Sequence, residues 1–164
     1  MTEISISLPL DADGFLRREC PTCERQFKWL PSDPSPNEDS HHTPEAYYCP
    51  YCSEPAHLGA WWTTEQVQYQ LELVQAQAVV PMLQQFQRDM ERSFGRTKGI
   101  GFRSEPIAAT EPTPLMEPED MVRVELPCHL EEPLKIDESW EAEVSCLVCG
   151  LRYPVQLVRE VGGA

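Results

Sequence analysis

Residues 4–8, ISISL, alternate apolar and polar side chains with Ile4, Ile6 and Leu8 on one side, the period of a half-buried strand. Asp13-Gly14 follows as a turn signal, and FLRRE reads as a second strand running into a cysteine pair. Between Pro31 and Pro44 the stretch PSDPSPNEDSHHTP offers almost nothing to bury and reads as an exposed loop; YYCPYC then resumes order. From Thr63 to about Phe94 the period becomes helical. Val67, Leu71, Val74 and Ala78 recur at three- and four-residue steps, and Val79, Leu83, Phe86, Met90 and Phe94 continue the stripe. Thr63 or Thr64 can cap the start, whereas Pro81, lacking an N–H and clashing with the preceding turn, predicts a kink or a split. Gly95, Gly99 and Gly101 end the pattern, and residues 104–120, SEPIAATEPTPLMEPED, carry no period at all. Alternation returns at Val122, Val124 and Leu126, around Val144 and in YPVQLV.

These phases predict an α+β chain of four parts: a small β module over 1–62, a long helical segment over 63–103, a Pro/Glu-rich linker over 104–120 and a second β module over 121–164. Each β module is too short to be held by apolar burial alone, so each needs a staple. The chain of 164 residues has seven cysteines. The N-terminus lacks a basic start and no apolar run reaches the roughly 20 residues of a membrane span, so the expectation is a soluble, cytoplasmic protein without a membrane role. In such a reducing compartment paired cysteines are metal ligands more often than disulfides.

Cys20-Pro-Thr-Cys23 and Cys49-Pro-Tyr-Cys52 are two such pairs. A two-residue spacer lets a tight turn aim both thiolates at one ion while backbone N–H groups donate to the sulfurs, and two turns complete a tetrahedron. His41, His42 and His57 are spare donors that the four thiols make unnecessary. A third pair, Cys146-Leu-Val-Cys149, sits in SCLVCGLRYPVQ, which repeats the pattern of ECPTCERQFKWL with Tyr153 in the place of Phe27. No partner pair follows it. Its partners must lie upstream, and Cys128-His129 is the candidate, giving a Cys₃His set of Cys128, His129, Cys146 and Cys149. Adjacent residues of a straight strand point to opposite faces, so both can bind one ion only if the chain turns there. Glu131, Asp137 or a water are the alternatives to His129.

With these knuckles the chain resembles bacterial double zinc-ribbon proteins, over roughly residues 15–60 and 121–158, and its knuckles are similar to those of rubredoxins. The resemblance implies two structural zinc ions per chain. Rubredoxins carry glycine after each knuckle; here Glu24 and Ser53 stand there and Gly150 alone conforms, which ranks iron and electron transfer at the first site below zinc. Closed four-ligand sites leave no position for substrate. Catalysis is accordingly not expected: zinc deaminases require an HxE element upstream of a PCxxC pair, whereas His42 is followed by Thr43-Pro44, and no βαβ pattern surrounds any CxxC pair.

Charge modifies this picture in one place. The formal net charge is -14, with four basic against ten acidic residues in 1–62, five against four in 63–103 and four against thirteen in 104–164. An acidic chain repels phosphate backbones. Arg88, Arg92, Arg96, Lys98 and Arg103 nevertheless cluster at the helix end, where they complement the helix dipole and offer a candidate site for phosphate, RNA or an acidic partner. Trp61 is expected to pack the first module against the helix. The apolar stripe reads as core, with any uncovered length left for self-association or a partner helix. The functional expectation is a non-enzymatic zinc-binding adaptor for a protein partner, with nucleic-acid binding and electron transfer as alternatives.

Overall fold

The structure, a computed structural model of the chain, describes residues 4–31, 44–95, 99, 101 and 104–159. In chain order its elements are β1 (Leu16–Glu19), β2 (Gln26–Trp29), β3 (Ala46–Tyr48), β4 (Pro55–His57), a 3₁₀ turn (Leu58–Ala60), α1 (Thr64–Val74), a π-helical turn (Gln75–Val79), α2 (Val80–Phe94), β5 (Met121–Leu126), β6 (His129–Asp137), β7 (Glu143–Ser145), β8 (Arg152–Pro154) and α3 (Val155–Arg159). The architecture is mixed α and β, with one long helical run and small antiparallel sheets. Ile4–Leu8 is not a strand: alternation alone makes no ladder, and among the described residues no strand pairs with it. YPVQLV divides into the end of β8 and α3.

By contacts the chain divides into two compact units, 8–63 with 116–164, and 1–7 with 64–115. This differs from the four-part expectation. The two β modules share one four-stranded sheet in the order β1-β2-β6-β5, joined where Lys28 pairs with Lys135 and Trp29 with Leu134. Two-stranded hairpins are marginal in water, and pairing the two hairpins gives each a covered edge and a common core. One face of the sheet buries Phe27, Trp29, Val124, Leu134 and Ile136 together with Trp61 and Tyr51. Trp61 meets Phe27 and Trp29 edge-on, inside this unit, and Trp62 stacks on Arg18.

The opposite face carries a row of four cations, one per strand: Arg17 pairs with Lys28, Lys28 with Lys135 and Lys135 with Arg123. Like charges in register repel, and Lys28 and Lys135 are buried. The acids that neutralise them come from the Asp11–Asp13 turn and from residues expected to be linker. Lys28 lies 2.9 Å from Glu117 and donates to the Pro118 carbonyl at 2.6 Å, Arg17 pairs with Glu117 and Asp120, and Lys135 reaches Asp11, Asp13 and Glu119. Burial pushes the Asp11 carboxyl up, but Lys135, the Phe15 N–H and Lys28 outweigh it and hold the group at about 2.

The rest of the expected linker belongs to the helical unit, where Gln84 and Gln87 donate to the carbonyls of Ile107 and Glu105. Pro81 splits the helix without breaking it. The Val80 N–H reaches back five residues to Gln75, and the wide turn places Pro81 in the first turn of α2, where its missing N–H costs nothing. The apolar stripe is not core. Val67, Leu71, Val74, Val79, Met82, Leu83 and Phe86 are all exposed, whereas Gln66, Leu73 and Val80 are buried.

Candidate metal centres

The three CxxC pairs form one repeated turn. Its first cysteine donates its N–H to the residue five ahead (Cys20 to Arg25, Cys49 to Glu54, Cys146 to Leu151) and accepts from the residue four ahead (Glu24, Ser53, Gly150), all at 2.8–3.0 Å. In each case the residue after the second cysteine is left-handed, with φ of 58° at Glu24, 64° at Ser53 and 73° at Gly150. Glu24 and Ser53 thus adopt the backbone that glycine would take, so their side chains do not alter the knuckle. Gly150 is required for a second reason: a Cβ there would lie 3.0 Å from the ring of Tyr48. The N–H groups of Thr22 and Cys23 point at Cys20 Sγ, and that of Tyr51 at Cys49 Sγ, each at 3.4 Å.

Cys20, Cys23, Cys49 and Cys52 converge, with Cys20–Cys52 and Cys23–Cys49 Sγ pairs both 3.7 Å apart. Cys128, His129, Cys146 and Cys149 form the second cluster, with Cys149–Cys128 Sγ at 3.6 Å and Cys146 Sγ–His129 Nδ1 at 3.3 Å. A tetrahedral ion bound at ~2.3 Å by sulfur requires S···S edges of ~3.8 Å, whereas a disulfide would bring them to ~2.05 Å. Both clusters fit a metal ion. The turn that adjacency demanded is present: Leu126 pairs with His129 across a hairpin whose two-residue loop is Pro127-Cys128, so Cys128 leaves the tip and His129 opens β6.

Packed thiols cannot all be charged without a cation. Burial pushes Cys49 and Cys23 up, and Cys146 up to about 12, whereas at Cys20 the N–H groups of Cys23 and Thr22 overcome burial and draw the thiol down. Burial also acts upward on Cys128, but the Tyr153 hydroxyl and His129 bring it to about 7. Cys20 and Cys128 are thus drawn toward the thiolate while Cys23, Cys49 and Cys146 resist it, an electrostatic demand that a divalent ion would meet.

The two centres are linked through their knuckles. Tyr48 N–H donates to the Leu147 carbonyl at 2.8 Å, and Ser145 N–H donates to the Pro50 carbonyl at 2.9 Å. Each bond runs from the residue before one first cysteine to the residue after the other, a reciprocal pair. Ser53 and Ser145 hydroxyls meet at 2.5 Å, Arg152 donates to Ser53, and the Tyr51 hydroxyl bridges the Gln26 carbonyl and the Asp137 N–H. Sequence reasoning missed the links made by Tyr48, Ser53 and Ser145, and it singled out Tyr153 only as an aromatic of the repeat, not for its hydroxyl contact with Cys128.

Other candidates fall outside these centres. The His57 side chain caps the 3₁₀ turn by accepting from Gly59 N–H. Asp11, Asp13 and Glu119 also converge, but the Lys135 ammonium lies 2.5–3.2 Å from all three and stands where an ion would. Arg88 contacts Gln85 and Arg92 lies 3.8 Å from Asp89, both on the helix surface. Arg96, Lys98, Arg103, His41 and His42 lie outside the described residues. Among the described residues no helix is long and apolar enough to cross a membrane. No protein-family model, curated protein or solved structure matches the chain.

Proposed function

We propose that the chain is a non-enzymatic, zinc-binding adaptor in which two structural zinc ions hold the β unit and the long helix offers a contact surface to a protein partner. The observation that carries this reading is the pair of four-donor clusters, each with its ligand atoms within 4.8 Å of one another. Four protein donors complete the coordination of zinc and leave no position for a substrate or an activated water, and a mixed Cys₃His set is a zinc set. The exposed apolar stripe supports the adaptor role.

Elemental analysis of reduced, freshly purified protein is expected to give two zinc ions per chain. Cobalt substitution is expected to give the visible bands of tetrahedral thiolate coordination at both sites, and chelation is expected to unfold the β unit. A compact, metal-free protein would overturn the reading. One observation favours a second reading for the first centre, since its knuckles keep the left-handed turn that rubredoxins build with glycine. Coloured protein with iron bound at Cys20, Cys23, Cys49 and Cys52 would select electron transfer there.

A further inference from the structure

We propose that the exposed stripe of the helical unit pairs with the same stripe of a second copy of this chain, antiparallel, about a two-fold axis passing between Ala78 and Val79. The inference deepens the adaptor reading, on whose use of the helix it rests, by naming what covers that face.

The π turn is the first argument. A turn with one extra residue rotates everything after it by about 100° relative to a straight α-helix. On such a straight helix Val79, Leu83 and Phe86 would lie far round the cylinder from Val67, Leu71 and Val74; the turn at Gln75–Val79 brings both halves onto one face. That face stays open, with Leu71 62% and Phe86 58% exposed.

The spacing of the stripe is the second. Val67, Leu71, Val74 and Ala78 are followed by Val79, Leu83, Phe86 and Met90, so the steps read the same from either end. Reversing the helix sets Val67 opposite Met90, Leu71 opposite Phe86, Val74 opposite Leu83 and Ala78 opposite Val79. A stripe that maps onto itself under a two-fold axis is what an isologous contact needs, and the small Ala78 at the axis lets the backbones approach.

Charge is the third. The chain carries a net charge of -14 and repels its own copy over most of its surface, yet no charged residue stands between Glu72 and Arg88. At the ends of the antiparallel pair, Glu65 comes level with Arg92 of the other copy. The six exposed residues of that register, Val67, Leu71, Val74, Val79, Leu83 and Phe86, present about 500 Å² per copy, or about 1,000 Å² for the pair, which is the area a specific interface has to clear.

The test is the mass of the metal-loaded full chain by light scattering and equilibrium sedimentation across micromolar concentrations, with zinc content measured on every sample. The wild type is expected at twice 18.7 kDa. Leu71→Glu and Phe86→Lys are each expected to weaken the dimer at least about 100-fold and leave monomers with two zinc ions. The double variant is expected to dimerise again, because only the antiparallel register sets the new carboxylate against the new ammonium. A monomeric wild type would overturn the proposal, as would single variants that still dimerise. A double variant that stays monomeric would overturn the antiparallel register. Loss of zinc in the wild type would instead count against the metal reading, which the mass does not probe.

Discussion

Removing the metal from the second centre should weaken the first. Cys146→Ser deletes a buried donor 3.3 Å from His129 Nδ1, and the knuckle that it anchors also holds the knuckle of the first centre. The Tyr48–Leu147 and Ser145–Pro50 backbone bonds contribute about 1 kcal/mol each, and the Ser53–Ser145 hydroxyl contact adds up to a similar amount. If the second knuckle loosens, the first loses about 2–3 kcal/mol of support, which is roughly 30- to 150-fold in the affinity of its ion. Competition against a chromophoric chelator measures that affinity, and hydrogen exchange at the Tyr48 and Ser145 amides reports the bonds themselves. An affinity at the first centre unchanged within about threefold, with the Tyr48 amide still protected, would refute the coupling and restore two independent modules.

Glu24→Gly should raise stability by about 1 kcal/mol, because glycine takes φ of 58° without a Cβ penalty and the Glu24 side chain is exposed; a denaturant melt of the metal-loaded protein checks it. Gly150→Ala should do the reverse and lose at least about 2 kcal/mol in the same assay, since it adds backbone strain and a 3.0 Å contact with Tyr48. Asp11→Asn should cost about 2–3 kcal/mol by leaving two buried ammonium groups short of a partner. Because the Asp11 carboxyl is depressed from 3.8 to about 2, its contribution is complete above its ordinary range and is lost only as pH falls toward 2. The difference in urea midpoint between wild type and Asp11→Asn should therefore hold constant from pH 7 down to about 4.5, and a collapse already near pH 5 would contradict it.

The two cysteine clusters were legible because thiolate spacing is a local property. Two residues between cysteines fix the knuckle whatever surrounds it, and the repeat around Cys146 pointed upstream to Cys128-His129. The shared sheet was not legible. Lys28, Lys135, Arg17 and Arg123 each occupy a strand position that alternation assigns to solvent, and only register aligns them into a row that must be covered. Glu117, Glu119 and Asp120 likewise read as linker, since nothing in their own stretch reveals that they face two buried ammonium groups, Lys28 on β2 and Lys135 on β6. The stripe from Val67 to Phe94 was visible, but how much of it is core was not: a helix reads as amphipathic from its sequence, whereas whether the apolar side is covered depends on what else folds onto it.

The order of the chain gives the two staples a task beyond local stability. Each ligand set closes within its own half, Cys20 to Cys52 and Cys128 to Cys149, on short loops of low entropic cost. The β2–β6 pairing, in contrast, must bring together strands separated by the whole helical excursion of residues 64–115. Before that pairing each hairpin has an unpaired edge, with Trp29 on one and Leu134 on the other lacking their partners, and such edges invite wrong pairing. An ion bound in each cluster would fix its knuckle early and so present two preformed surfaces, whose reciprocal Tyr48–Leu147 and Ser145–Pro50 bonds select one mutual orientation. The long-range step then becomes the docking of two rigid pieces. The acidic segment at Glu117–Asp120 reinforces it, because the Arg17, Lys28 and Lys135 cations that it neutralises are brought into one row only when β2 and β6 have met.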